Sequence, residues 1–356
     1  QLIIENTDEE LIGKKEEVLK LIQAGGIENF ISNENPEQGF GSYNILKEEY
    51  ILLVAVAPDF TVDEPISIQK RIIEEDEISY RVLAEVIELD GAGLRKIEPY
   101  LSESVEYGVL YPGDAQCQPM LAAAQIIRAV KKRGGSFIQG ENVIAINSNA
   151  GSLIGITTDK NNYSCPIVIN ATGTWAGEIA KLAGSHLPIM PRRGFILVTA
   201  PAPKIVHHKV YDADYVANVA SSDADLQSSA VVEGTASGTI LIGASRERVG
   251  FKADLDISIL RQLARQAISL FPVLSSIGLL RAYRGFRPYA PDHLPVIGED
   301  ANISGLWHAA GHEGAGIGLS PATGELITAQ ITNQSTFIDP TPFSPKRFQG
   351  SEYVAV

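Results

Sequence analysis

Eight residues near the C-terminus, Gly311-His312-Glu313-Gly314-Ala315-Gly316-Ile317-Gly318, carry four glycines. They follow an apolar, strand-like segment (Leu306, Trp307, Ala309, Ala310) and lead towards a helical stretch. A glycine-rich turn packed against its neighbours needs fewer glycines than this. A helix N-terminus with exposed N–H groups would stabilise negative charge on a ligand. A second candidate is Ala171-Thr172-Gly173-Thr174-Trp175, after the apolar run PIVIN (166–170). Glycine there lets a ligand approach the backbone, although an ordinary strand-to-helix turn would look the same.

Other glycine pairs fail as phosphate loops, which need strand-GxGxxG-helix so that backbone N–H groups reach a pyrophosphate. Gly39-Phe40-Gly41 lacks the third glycine and a preceding apolar strand. Gly91-Ala92-Gly93 follows VIELD, but Lys96 takes the sixth position and Pro99 stops a long helix, so a turn and short helix are expected. His207 and His208 are adjacent and lack metal-ligand spacing. His293 reads as a loop residue, and Cys117 and Cys165 as buried thiols rather than nucleophiles. No G-x-S-x-G elbow or Walker loop occurs.

The elements that must hold these residues belong to a chain of 356 residues, enough for two ordinary domains. Hydrophobic residues make up 45% and charged residues 20%, the balance of a globular protein. The formal charge of −14 argues against nucleic acid and anionic membranes as partners. Two distant cysteines point to a reducing compartment, and a cytoplasmic location is expected. No apolar run approaches the roughly 18–20 residues of a membrane span. The first twenty residues lack an apolar signal core, and the chain opens on Gln1 rather than Met.

Periodicity predicts a helix over 8–23 and strands at 51–57 and 82–89. Residues 114–133 read as a loop and then a helix. Pro119 lies in its first turn, Leu121, Ile126, Ile127 and Val130 are its apolar positions, and Gly134-Gly135 stops it. Phe137, Val143 and Ile144 suggest a strand. PIVIN reads as a strand buried on both faces. Residues 194–200 and 239–243 read as antiparallel neighbours in a second sheet. Residues 256–271 form an amphipathic helix ended by Pro272, and a last helix runs over about 320–331.

Six stretches, in order, resemble the D-amino-acid oxidase superfamily of FAD-dependent oxidoreductases, which includes glycine oxidase, sarcosine oxidase and D-amino-acid dehydrogenases. They are DAQCQP (114–119), INATGTWAGEIAKLAG (169–184), LPIMPRRGFILVTA (187–200), GTILIGASRERVGF (238–251), RGFRPYAPDHLPVIG (284–298) and the loop at 311–324. The resemblance covers roughly residues 82–335. The GHEGAGIGLSPATG form is most similar to catalytic subunits of hydroxyproline dehydrogenase, opine oxidase and hydrogen cyanide synthase, which pass electrons to partner chains.

The resemblance implies an α/β (α+β) fold, with a Rossmann-like FAD-binding domain and an interleaved antiparallel-sheet substrate domain. Segments 114–185 and 288–335 would bind flavin. Segments 82–113 and 186–287 would form the substrate domain, with 1–81 partly substrate-domain-like and 336–356 a tail. Arg287 falls on the family's carboxylate-binding arginine, a type suited to two parallel hydrogen bonds; Arg281 and Arg284 read as surface or structural. Tyr215 aligns loosely with an active-site tyrosine, and Val143 with a position near the adenine. Ala171, Thr172, Gly173 and Trp175, with Gly311, Glu313, Gly314, Ala315, Gly316, Ile317, Gly318 and Leu319, would contact the cofactor. His312 could face the flavin or serve the helix end.

Gly314 stands where some relatives carry an arginine, so a second carboxylate clamp is lost or comes from elsewhere. Ala309 and Ala310 stand where covalent-flavin members carry a cysteine, so FAD is expected to be non-covalent. The family opens with strand-GxGxxG-helix, and these residues contain no such unit; residues 2–27 resemble a later family segment. Either the flavin-binding unit is missing from this chain, or FAD is not held in the usual way. The resemblance thus implies oxidation of a small amino acid or amine, with hydride passing from the α-carbon to flavin and an imine as product. A second flavoprotein subunit and a small iron–sulfur subunit are the partners it suggests. The competing expectation is a flavin-free, non-catalytic scaffold subunit.

Overall fold

Strand-forming runs of β-branched and aromatic residues, punctuated by capped helices, set the order of elements. The computed structural model describes residues 2–5, 66–69, 83–112, 114–213 and 224–349. The helix expected at 8–23, the strand expected at 51–57 and Tyr215 lie outside the described residues. Strands β1 (Leu2–Glu5), β2 (Ile66–Gln69) and β3 (Leu83–Asp90) precede helix α1 (Gly91–Ile97) and strand β4 (Tyr107–Leu110). Helix α2 (Pro119–Lys132) leads to β5 (Val143–Asn149), β6 (Ser152–Thr158), β7 (Asn162–Ser164) and β8 (Val168–Asn170). Then come α3 (Ala176–Leu182), β9 (Met190–Thr199), β10 (Val210–Asp212), β11 (Gln227–Gly234) and β12 (Ile240–Arg246). The chain continues through α4 (Ile257–Leu270), β13 (Leu279–Tyr289), β14 (Val296–Glu299), β15 (Leu306–Ala310) and α5 (Gly316–Ile331).

The chain divides into two compact units. The first holds residues 1–115, 193–247 and 252–285; the second holds 116–192, 248–251 and 286–356.

In the first unit, a mostly antiparallel sheet runs β13-β9-β12-β11-β10-β1-β4-β3-β2 among the described residues. The expected pairing of 194–200 with 239–243 is present as β9 against β12, with Leu241 opposite Val198. Helix α4 follows its sequence signals: the Asp256 carboxylate caps Ser258 N and Ile259 N, and Pro272 closes the far end. Its Ile259, Leu260, Leu263, Ala267 and Leu270 are buried with Phe195, Leu197, Val232 and Ile242 of the sheet. Each fully buried large aliphatic side chain contributes roughly 2 kcal/mol. The GAG at 91–93 is the start of α1, where Asp90 accepts from Gly93 N at 2.7 Å. At its end, the fully buried Glu98 accepts from His207 N, His208 N and His208 Nδ1.

The second unit holds two small sheets. In one, β15 lies between β14, antiparallel to it, and β8, parallel to it. The other runs β5-β6-β7. Ala176 and Ala180 of α3 pack with Leu187, Ile189, Val296 and Ala310. Gly177 is required there, because a Cβ would lie 2.8 Å from the carbonyl oxygens of both Leu187 and Ile189. The 336–349 segment is packed rather than free. Phe343 and Phe348 are buried, and Arg347 bonds Asp292 at 2.6 Å.

Five expectations need correction. Cys117 is exposed and Cys165 only partly buried, so neither is the buried thiol expected. PIVIN is not buried on both faces: β8 ends the small sheet, and Ile167 and Ile169 stay exposed at 43% and 45%. Helix α2 forms where expected, but none of its residues is buried, so its apolar stripe is not core among the described residues. Phe137 lies outside the strand, which starts at Val143. The last helix starts at Gly316, not 320, with Pro321 inside it. Proline cannot donate to the Ile317 carbonyl, and the Ser320 hydroxyl donates there instead at 2.9 Å.

Candidate functional site

The glycine loop leaves β15 at Ala310 and becomes α5 at Gly316, wholly within the second unit. Gly311 takes φ +79, where an added Cβ would press on the Ile189 side chain at 3.0 Å. Glu313 follows with φ +46, left-handed without being glycine. Ala315 is the N-cap of α5 and supplies no side-chain hydrogen bond, so no side chain caps the first-turn N–H groups. The space at the Cβ position of Gly318 holds no atom within 4 Å.

The end of β13 lies beside this loop. Glu313 N donates to Pro288 O at 3.1 Å. A Cβ at Gly314 would meet only the Arg287 Nε, at 4.0 Å. The half-buried Arg287 side chain therefore stands beside the open Cβ position of Gly314, one of the four glycines of the loop. The sequence-predicted carboxylate anchor and the glycine loop are brought together.

His312 points to the helix it introduces, with Nε2 at 2.9 Å from Thr323 Oγ1. Burial lowers its pKa to about 4, so the ring is neutral at pH 7. The Glu313 carboxylate is occupied within the protein: Oε2 lies 3.2 Å from an Arg192 guanidinium nitrogen and Oε1 2.7 Å from His293 Nδ1.

The second candidate turn starts at β8. Thr172 leads into a short 3-10 turn, Gly173–Trp175, with Gly173 at φ +59 and nothing within 4 Å of its Cβ position. Trp175 is half-exposed and stacks on Phe251 at 5.6 Å, and Phe251 meets Phe286 edge-on at 5.3 Å. Ala171 is exposed at the strand end, and Val143 begins β5 against the Ile146–Leu306 cluster. Ala315, Gly316, Ile317 and Leu319 lie along the loop and first turn of α5, with Ile317 half-exposed.

A buried chain of hydrogen bonds behind this turn was missed by sequence reasoning. Asp300 accepts from Ser185 Oγ at 2.5 Å and pairs with His308 Nε2 at 2.8 Å. Asn170 Nδ2 reaches His308 Nδ1 at 3.2 Å, and Thr172 Oγ1 donates to Asn170 Oδ1 at 2.7 Å. The geometry puts the ring proton on Nε2, facing the carboxylate. Burial pushes the Asp300 carboxyl up, but the bonds from His308, Ser185 and Asn302 N outweigh it and hold the pKa at about 2. His308 sits in the alternating strand LWHAA, and its partners are 8 and 138 residues away. No local spacing signals it. Among the described residues, no His/Cys/Asp/Glu group could hold a metal ion.

Residues 62–330 match the family described as FAD dependent oxidoreductase (DAO). Hydrogen cyanide synthase subunit HcnC of Pseudomonas aeruginosa is 30% identical over 263 residues, covering 73% of this chain and 60% of its own. Glycine oxidase of Geobacillus kaustophilus is 28% identical over 257 residues, covering 72% and 64%. The chain thus spans about 60% of the length of the first curated relatives it matches. Among solved structures, L-proline dehydrogenase from P. horikoshii superposes with a TM-score of 0.67 at 23% identity, covering 74% of this chain and 69% of that one. Glycine oxidase from Geobacillus kaustophilus gives 0.65 at 24%, covering 76% and 67%. These two likenesses establish a shared fold.

Proposed function

The chain belongs to the DAO family of FAD dependent oxidoreductases, and we propose that it takes part in oxidising a small amino acid or amine at its carbon–nitrogen bond. The observation that carries this reading is the placement of Arg287 beside the glycine loop, with its Nε 4.0 Å from the position a Gly314 Cβ would take. A group that binds a carboxylate then stands beside backbone that can receive a flat, hydride-accepting ring.

The residues present fit a flavin. No side chain caps the first turn of α5, the Cβ positions of Gly318 and Gly173 face open space, and Trp175 and Ile317 present half-exposed apolar surface. The residues that would hold it are Gly314 to Leu319 and the Ala171–Trp175 turn, with Val143 towards the adenine. Bound FAD would accept a hydride from the substrate α-carbon. The chain's own residues bind and orient. Arg287 anchors the substrate carboxylate through paired hydrogen bonds, which fixes the α-carbon relative to the loop. First-turn N–H groups of α5 favour negative charge next to them. His312, neutral at pH 7 and tied to Thr323, keeps the helix start in place rather than moving a proton. The amine releases its N–H proton as the C=N bond forms, and water then hydrolyses the imine.

The flavin is non-covalent in this reading, since Ala309 and Ala310 precede the loop and the two cysteines are elsewhere. The chain acts as a catalytic subunit that hands electrons to a second flavoprotein and a small iron–sulfur subunit. That two relatives are named as subunits of hydrogen cyanide synthase supports membership of a complex. No helix among the described residues is long and apolar enough to cross a membrane.

The test is the visible spectrum of the purified protein. Absorbance bands of bound flavin, bleached anaerobically by one of a panel of D-amino acids, proline derivatives, glycine, sarcosine and opines, would identify the substrate class. A chain of verified mass without flavin, which also takes up none on titration, sinks the enzyme reading and leaves the scaffold subunit. Arg287→Ala should raise KM for carboxylate substrates about 30- to 150-fold, the worth of a lost charge-assisted pair of roughly 2–3 kcal/mol. An unchanged KM removes Arg287 from the site.

A further inference from the structure

Glu313 and His293 are both left-handed without being glycine, at φ +46 and +57, and they are bonded to each other. The left-handed region is unfavourable for an L-residue with a Cβ, so something must stabilise each. His293 N donates to Ala290 O at 2.9 Å, which closes its turn. Its ring meets Tyr289 edge-on at 5.3 Å, and the same Tyr289 ring lies 5.4 Å from the Arg192 guanidinium carbon. Glu313 spans the two side chains: Oε1 to His293 Nδ1 at 2.7 Å and Oε2 to the Arg192 guanidinium at 3.2 Å. The side chains are 13%, 11% and 1% exposed for Glu313, His293 and Arg192. A carboxylate at this depth is held by its partners and not by water.

We infer that Glu313 is a positioning residue. Its carboxylate, clamped by Arg192 and His293, holds the glycine loop in the left-handed entry from which Gly314 and the first turn of α5 project. Its place in the loop suggests a cofactor contact, but the acid group is turned into the protein. Glycine suits φ +46 better than glutamate does, so backbone preference alone would favour glycine here. Glutamate supplies the tether that glycine lacks. The clamp stands on geometry alone; its effect on ligand binding rests on the proposed function.

The experiment uses the full chain and three variants, E313G, E313Q and H293N. Amide hydrogen exchange is followed by mass spectrometry on flavin-free protein, with peptides covering 311–319 and, as an internal control, helix α4 in the other unit. FAD is then titrated, with flavin fluorescence as the readout. All three variants should speed exchange at 312–319 at least tenfold while α4 is unchanged, and E313Q and E313G should weaken FAD binding at least fivefold. Asparagine tolerates the left-handed conformation, so H293N tests the imidazole and not the turn. Exchange within twofold of wild type in both Glu313 variants overturns the clamp. Faster exchange with FAD affinity unchanged overturns the positioning role and leaves a purely structural tether. If wild-type protein takes up no FAD, the proposed function fails while the exchange comparison still decides the clamp.

Discussion

Replacing His308 by leucine removes the imidazole that joins Asp300 to Asn170 in the β14-β15-β8 sheet. Leucine is close in volume and apolar, so the cavity contribution is small. The loss falls on the carboxylate. Asp300 Oδ2 keeps only Ser185 Oγ, while Oδ1 still accepts from Asn302 N and Ile303 N. A hydrogen bond to a buried charged group contributes about 1.5–3 kcal/mol, and leaving that charge poorly matched adds to it. The expected destabilisation at pH 7 is about 3 kcal/mol. The sign of its pH dependence follows from Asp300, whose pKa is depressed to about 2 from 3.8. Its stabilisation is fully present above pH 3.8 and is lost as pH falls through 2. The variant lacks much of that depression, so the two stability curves should converge between pH 4 and 2. Tryptophan fluorescence is a suitable probe in urea unfolding, because both tryptophans, Trp175 and Trp307, lie in the unit that carries this network. A loss below 1 kcal/mol at pH 7, or a gap that does not narrow by pH 3, would refute the reasoning. So would a D300N/H308L double variant whose effects add within 0.5 kcal/mol, since coupled residues in one network should not be additive.

Three further outcomes follow from the same geometry. His312, with a pKa lowered by burial to about 4 from 6.5, contributes stability above pH 6.5 that is lost as pH falls through 4; this amounts to about 3 kcal/mol. A His312→Gln variant should therefore show a flatter stability profile between pH 7 and 4, and an identical slope would exclude the assignment. Gly177→Ala should destabilise the second unit by roughly 2 kcal/mol or more, because the new methyl meets two backbone oxygens at 2.8 Å; an unchanged urea midpoint contradicts this. In the first unit, Glu98→Gln turns one of the acceptors of His207 N and His208 N into a donor, and should lower stability by about 2–4 kcal/mol. Circular dichroism, which follows the large sheet, would register it.

Much of the scaffold was legible locally. Helix α4 carries its boundaries in its own sequence, with Asp256 at one end and Pro272 at the other. Helix α2 likewise announces Pro119 and Gly134. The β9–β12 pairing followed from two apolar runs of similar length. What failed depended on neighbours. The stripe of α2 looks like a core face, and only the packing shows that nothing among the described residues buries it. The last helix reads as starting near Ser320, because Gly316 and Gly318 weaken the preceding turn as helix formers; the structure starts it at Gly316. For the candidate site, Arg287 and the loop were readable as residue types, but their proximity at Gly314 was not. The partners of Glu313 and His308 were invisible for a similar reason. Arg192 is 121 residues from Glu313, and Asn170 is 138 from His308, so chain spacing carries no trace of either pairing.

The proline inside α5 has a mechanical consequence. Where another residue would tie position 321 back to the Ile317 carbonyl, the ladder has a missing rung, filled only by the Ser320 hydroxyl. Bending a helix ordinarily requires that such a rung be broken; here it is absent from the start. The leading turn, from Gly316 to Ser320, is thus joined to the rest of the rod by a softer joint than an unbroken helix would provide. A glycine loop held firmly at its entry by Glu313 and compliantly at its exit behaves as a lever hinged at one end. Small displacements would concentrate in the stretch that faces Arg287.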